Sequence, residues 1–143
     1  MNESKAGYIR PGNQRKADFT PLLPGEVLVY ADRKNPVLGN KHELKNHNDM
    51  AERLRVIAAF KEDIDRDFEV KGRMHFACKQ LAERVNRNEK ILLSCWCFPR
   101  PCHVNIIIDK VKGFLKEINP DHPFLQEKPV VQPPKPAQPE LEF

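Results

Sequence analysis

The chain has 143 residues, of which 40% are hydrophobic and 31% are charged, and its formal net charge is +4 at pH 7. This size and composition predict a single domain with one small core. They exclude a membrane-spanning protein, because no apolar run approaches the roughly 18 residues that a membrane helix needs. The small positive charge would tolerate a polyanionic partner without requiring one.

The beginning of the chain is polar and carries no apolar signal segment. We therefore expect a cytoplasmic location, which would be the host cytoplasm if a phage encodes the protein. In that compartment the four cysteines would be thiols, metal ligands or redox groups rather than structural disulfides.

The first half of the chain predicts one strand and two helices. Residues 1–24 are polar with scattered prolines and predict an extended N-terminal arm. The apolar run Glu26–Tyr30 predicts a buried strand, and a polar loop follows it. Apolar residues then recur at helical spacing between 49 and 68, and again between 74 and 85 after the interruption at Gly72.

The second half predicts a strand followed by a helix. The nearly continuous apolar run from 91 to 97 is typical of a strand that is buried on both faces, as in a parallel sheet. A helical pattern runs from about 102 to 118 and ends at Pro120. Seven of the thirteen prolines lie from Pro120 onward, so residues 120–143 predict a flexible proline-rich tail.

This order of elements predicts a small α/β fold in residues 25–119, with a short, mainly parallel sheet that is flanked by helices. Residues 1–24 and 120–143 would then be the arm and the tail. Because two strands are too few for a stable sheet, we expect one or two further short strands, near Ile9 or near residues 19–20.

The most informative segment is the nine residues from Cys95 to His103, which hold three of the four cysteines and one of the five histidines. We expect Cys102 and His103 in the first turn of the last helix, where the helix dipole favours anions and thiolates. This predicts an anion-binding site with Cys102 or Cys97 as nucleophile and His103 as general acid–base. It also predicts that Cys102 is partly exposed and more reactive than Cys78.

The loop after the first strand would complete this site. The carboxyl ends of neighbouring parallel strands open on one side of a sheet, so this loop and the segment after the second strand should meet there. Arg33 could bind an anion, and Asp32 or Asn40 could orient a sugar or base. Together with the loop, Cys97 and Arg100 make up the predicted ligand-binding set: Asp32, Arg33, Asn40, Cys97 and Arg100.

Two other interpretations of the cysteines stay open. Cys95, Cys97, Cys102 and His103 are the ligand types of a structural zinc site, although their spacing differs from the usual C-x2-C pairs. Alternatively these cysteines are simply buried core residues, as Cys78 is expected to be. The leading interpretation requires no cofactor, and the sequence leaves open whether the chain is an enzyme.

The segment from Leu93 to His103 has the form L-x-C-W-C-x-P-x-x-C-H. With the first strand and its Leu38-Gly39-Asn40 loop, it resembles the phage and bacterial family known as domain of unknown function 4326, over about residues 26–112. The resemblance implies a small α/β domain and often a phage context, and it supplies no established activity.

Three functions follow as hypotheses. The first is a phage or bacterial accessory protein that binds a nucleotide or nucleic acid through the Cys/His turn. The second is a non-enzymatic phage protein that binds and inhibits or redirects a host protein. The third is a zinc-stabilised binding module. None of the three requires a membrane.

Overall fold

The computed structural model describes residues 6–14, 19–32, 35–40, 42, 45–46, 48–95, 100 and 102–126. Within these ranges the elements follow in the order β1 (Tyr8–Gly12), β2 (Glu26–Tyr30), α1 (Met50–Glu69), α2 (Arg73–Asn86), β3 (Lys90–Ser94), α3 (Val104–Ile118) and α4 (Pro123–Gln126). In this described part, no helix is long and apolar enough to cross a membrane.

The sheet has three parallel strands in the order β1-β3-β2. This confirms the predicted α/β class, and it confirms that the second predicted strand is central and parallel to the first. Ser94 is the register partner of both Gly12 and Tyr30, so all three strands end at one level. We call this end of the sheet, with the residues that directly follow the strands and precede α3, the carboxyl edge.

The third strand is β1, which confirms the strand expected near Ile9. It lies inside the range 1–24 that the sequence assigns to an arm, so five residues of that range belong to the sheet. Residues 19–20, the other candidate, form no strand. Residues 96–97 of the predicted central strand lie outside the described residues, and β3 ends at Ser94.

The core lies between β3 and the helices. β3 is buried on both faces, with Ile91, Leu92 and Leu93 all 0% exposed. Ile91 and Leu93 belong to the main core cluster with residues of α2 and α3, whereas Leu92 faces the opposite side of the sheet. On that opposite side Arg10 of β1 and Glu26 of β2 form an ion pair at 2.7 Å that reaches across β3.

Two details of the helices differ from the sequence expectation. α3 begins at Val104 with His103 as its N-cap, so Cys102 and His103 precede the first turn instead of lying within it. α1 buries Arg53, Phe60 and Ile64. The apolar periodicity had placed Met50 on the buried face, but this residue is 48% exposed.

The short helix α4 lies inside the range that was predicted as a flexible tail. Residues 127–143, which make up the rest of that range, lie outside the described residues. The division of the chain into arm, domain and tail therefore stays a prediction.

Candidate functional site at the carboxyl edge of the sheet

Buried polar side chains concentrate at the carboxyl edge. Asn13 directly follows β1, Ser94 ends β3, and Asp32 lies two residues after β2; their exposed fractions are 0%, 2% and 9%. His103, at the start of α3, is 7% exposed. Burial of polar groups is unfavourable unless they are hydrogen-bonded, so a cluster of buried polar side chains is typical of a functional site. This edge is therefore the candidate site.

His103 is held by the loop that follows β2. Its Nε2 lies 2.7 Å from the carbonyl oxygen of Ala31 and 3.1 Å from that of Leu38. Carbonyl oxygens only accept hydrogen bonds, so Nε2 carries a proton and donates it. The ring also packs edge-on against Phe60 of α1, with ring centroids 4.8 Å apart.

The protonation state of His103 follows from its surroundings. Burial lowers the pKa of this imidazole below its ordinary value of 6.5, although the two carbonyls and the nearby charge of Asp32 act in the opposite direction. At neutral pH the ring is therefore uncharged. Because the proton is on Nε2, the Nδ1 atom has a lone pair, and this atom lies 3.4 Å from the sulfur of Cys102. His103 can thus accept a proton from that thiol.

Cys102 forms the second half of this cluster together with Cys95. The Cys102 thiol donates to the sulfur of Cys95, and the two sulfur atoms are 2.8 Å apart. Cys95 is 1% exposed and Cys102 is 3% exposed, and both belong to the hydrophobic core. The expectation that Cys102 is partly exposed is therefore wrong, because α3 begins at Val104, and Cys102 and His103 before it are buried.

The loop after β2 is built by Asn35, which the sequence analysis did not single out. Its amide Nδ2 donates to the carbonyl of Tyr30, and its Oδ1 accepts from the backbone N–H groups of Val37 and Leu38. The Asn-Pro pair at residues 35–36 is a turn signal that could have found it. The result is that the Leu38 carbonyl is directed toward His103.

Asn40 has a structural role in the loop that follows β2. Its Nδ2 donates to the carbonyl of Val56 in α1, and its Oδ1 accepts from the backbone N–H of His42. These bonds fasten the loop to α1. Asn40 is therefore placed as a structural residue of the loop, and its predicted contact with a ligand stays untested.

The structure brings four of the named residues together: Asp32, Cys95, Cys102 and His103. Arg100, in the segment between β3 and α3, is partly buried. Arg33 and Cys97 lie outside the described residues, so their predicted roles stay predictions. Within the described ranges, no group of three or more histidine, cysteine or acidic side chains is arranged to hold a metal ion. The four-ligand zinc hypothesis includes Cys97 and so is not decided by that finding.

Arg53 is a further residue that the sequence reasoning missed. Its side chain is 2% exposed although it lies on α1, two turns before Phe60 and on the same helix face. A cleft of about 510 Å³ runs along the second half of α1, and Arg53 is not part of its described lining, which consists of Gly39, Phe60, Asp63, Arg66, Asp67, Val70 and Met74. A cleft of that size is in the range that small-molecule ligands occupy.

A comparison with protein-family models matches residues 14–113 to the family described as "Domain of unknown function (DUF4326)". The match covers most of the chain, so the chain belongs to this family, and the resemblance noted in the sequence is confirmed. None of the curated proteins matches the chain, and neither does any solved structure.

Proposed function

We propose that the chain binds a ligand of the nucleotide class at the carboxyl edge, as a phage or bacterial accessory protein of the cytoplasm. The observation that supports this proposal is the gathering of buried polar side chains where three parallel strands end and α3 begins. In open parallel sheets, ligands bind in the crevice outside the carboxyl ends of the strands.

The anionic part of the ligand would bind at the turn between β3 and α3. The first turn of α3 contains no acidic residue, so no carboxylate of the helix itself would oppose binding of an anion at the positive end of its dipole. Arg100 lies in the segment between β3 and α3. Arg53, which is buried on α1 two turns before the Phe60 that packs against His103, and Arg33, as predicted from the sequence, would supply further positive charge.

The polar part of the ligand would be oriented by Asp32. A carboxylate accepts hydrogen bonds from sugar hydroxyls or from base amino groups, and Asp32 is 9% exposed beside the same edge. Cys102 with the neutral His103 supplies a thiol and a proton acceptor next to the ligand. We propose this pair as the catalytic element if binding is followed by a reaction.

The test is isothermal titration of the purified protein with ribonucleoside mono-, di- and triphosphates and with a short single-stranded oligonucleotide. A charge-assisted hydrogen bond contributes about 1.5–3 kcal/mol, so Arg100→Ala should weaken binding by about tenfold or more. The matched control is Arg87→Ala, because the Arg87 side chain is 62% exposed and lies after α2, away from this edge.

A second pair of variants tests the buried cation. Arg53→Met should weaken binding, whereas Arg55→Met should not, because Arg55 is exposed on the same helix. Circular dichroism would show whether the Arg53 variant still folds. The proposal fails if none of the nucleotides binds at millimolar concentration, or if Arg100→Ala and Arg87→Ala weaken binding equally.

A second candidate function, binding of a host protein without catalysis, is favoured by β2. This strand is at the edge of the sheet, since within the described residues it pairs only with β3. Val27 and Tyr30 of β2 are 42% and 45% exposed, and Leu22 and Leu23 just before it are 44% and 49% exposed. An open edge strand with apolar side chains can pair with a strand of another protein.

These two functions respond to different variants. If a host protein pairs with β2, Val27→Asp should abolish its cross-linking to the chain in infected or host cells, while Arg100→Ala should leave the cross-link unchanged. A nucleotide-binding protein should show the reverse pattern, with Val27→Asp leaving nucleotide affinity intact.

A further inference from the structure

We infer that Cys95 and Cys102 form a hydroperoxide-sensitive dithiol that closes reversibly to a disulfide between the end of β3 and the start of α3. This inference does not depend on the proposed ligand, because it concerns only the two sulfur atoms and the histidine beside them.

The geometry favours closure. The sulfur atoms of Cys95 and Cys102 are 2.8 Å apart, so they need to approach by only about 0.8 Å to reach the bond length of a disulfide. The backbone on both sides is held in place. The Cys95 N–H donates to the Gly12 carbonyl at 2.9 Å, and the Cys102 carbonyl accepts from the Asn105 N–H at 3.2 Å. Closure therefore requires only a short approach of two sulfur atoms whose backbone positions are already fixed.

The neighbouring histidine favours Cys102 as the thiol that reacts first. His103 Nδ1 lies 3.4 Å from the Cys102 sulfur and can accept its proton when the S–H, which donates to Cys95 in the structure, turns toward the imidazole ring. Thiolates, not thiols, attack peroxides. A hydroperoxide such as hydrogen peroxide is small enough to reach a nearly buried sulfur, whereas a large disulfide oxidant is not.

The reaction would run in two balanced steps. First, His103 takes the thiol proton of Cys102, and the thiolate attacks one peroxide oxygen. The O–O bond breaks, Cys102 becomes a sulfenic acid, and the leaving oxygen departs as water or an alcohol with the proton from His103. Second, the Cys95 thiol attacks the Cys102 sulfur, the S–O bond breaks, and water leaves with the Cys95 proton. The two thiols lose two electrons, and the hydroperoxide gains them.

Cys78 provides an internal comparison. It is 0% exposed on α2, and burial raises the pKa of its thiol to about 12. We therefore expect Cys78 to stay reduced under conditions that oxidise the Cys95–Cys102 pair.

The experiment uses the full chain after reduction and removal of the reductant. It is treated with hydrogen peroxide, quenched with N-ethylmaleimide and mapped by mass spectrometry without further reduction. The expected product is a peptide pair linked through Cys95 and Cys102, with Cys78 still a thiol. This experiment uses the wild-type chain, so its result does not depend on whether a variant folds. Reduction with dithiothreitol should then restore both thiols.

Variants assign the steps. Cys95→Ser should prevent the link and let dimedone trap a sulfenic acid at Cys102, whereas Cys78→Ser should leave the link unchanged. His103→Gln should slow its formation by about a hundredfold, the lower range of what a positioned proton acceptor contributes. A disulfide that includes Cys97 would overturn the inference, and so would stoichiometric zinc in the reduced protein, since these cysteines would then be metal ligands.

Discussion

The ion pair between Arg10 and Glu26 should make the stability of the fold depend on acid. The Glu26 side chain is 0% exposed. Arg10 donates to both of its carboxylate oxygens, at 2.7 and 2.8 Å, and the Leu23 N–H donates at 2.8 Å. Chiefly because of the hydrogen bonds from Arg10, the pKa of Glu26 falls from its ordinary value of 4.5 to about 2.

The sign of the pH effect follows from this depressed pKa. The unfolded chain takes up the Glu26 proton near pH 4.5, whereas the folded chain takes it up only near pH 2. The stabilisation is therefore fully present above pH 4.5 and is lost as the pH falls toward 2. At 1.36 kcal/mol for each pKa unit, the difference corresponds to at most about 3 kcal/mol. Arg10 is 32% exposed, so solvent screening reduces the expected contribution to about 1–3 kcal/mol.

The assay is urea unfolding of the wild-type chain and Glu26→Gln at pH 6 and pH 3. Between these values the wild type should lose about 1–2 kcal/mol more of its free energy of unfolding than the variant, because the variant has no carboxyl group to titrate at this position. Glu117→Gln, at an exposed position of α3, is the control and should behave like the wild type. Parallel pH dependence in wild type and Glu26→Gln would refute the reasoning.

Two further predictions concern the packing beside the candidate site. Gly39→Ala should destabilise the fold by about 1–3 kcal/mol, because a Cβ atom there would collide with the Asp32 carbonyl. The control Gly113→Ala has open space on α3 and should stabilise the fold by about 0.5–1 kcal/mol. Equal effects of the two variants in urea unfolding would contradict the contact between Gly39 and Asp32. Phe60→Ala should lower the free energy of unfolding by about 3–5 kcal/mol, because the ring is 1% exposed and packs against His103. A cost below about 1 kcal/mol would show that this contact does not hold α1 in place.

The sequence contained enough to predict the centre of the fold. The apolar run of β3 is buried on both faces, which is the reason that a continuous pattern, not an alternating one, predicts a central parallel strand. β1 is harder to predict because its sequence is YIRPG. A proline is tolerated in this strand because β1 lies at the edge of the sheet, and what makes it a strand is its pairing with β3, a contact about 80 residues away in sequence.

The orientation of α1 shows why the periodicity of apolar residues could not predict which side chains this helix places near the candidate site. Apolar spacing selects a helix face, but the face that is buried carries Arg53 together with Phe60 and Ile64. Phe60 contacts His103, and Asn40 fastens the preceding loop to the Val56 carbonyl. These long-range contacts fix the rotation of α1 about its axis. An arginine can be buried there because of the tertiary structure, and its own sequence neighbours carry no signal of it.

His103 takes part in both the proposed nucleotide site and the proposed dithiol, and variants of the residues around it can separate the two. Its Nε2–H holds the loop that carries Asp32, while its Nδ1 lies beside the thiol of Cys102. Arg100→Ala should therefore change nucleotide affinity but not the rate of disulfide formation. Cys95→Ser should abolish the disulfide but leave nucleotide affinity unchanged, because it removes none of the cations of the proposed site. His103→Gln should change both, because it disturbs the loop and removes the proton acceptor. If His103→Gln changed only the nucleotide affinity or only the rate of disulfide formation, the unchanged property would not depend on the contacts of His103 described above.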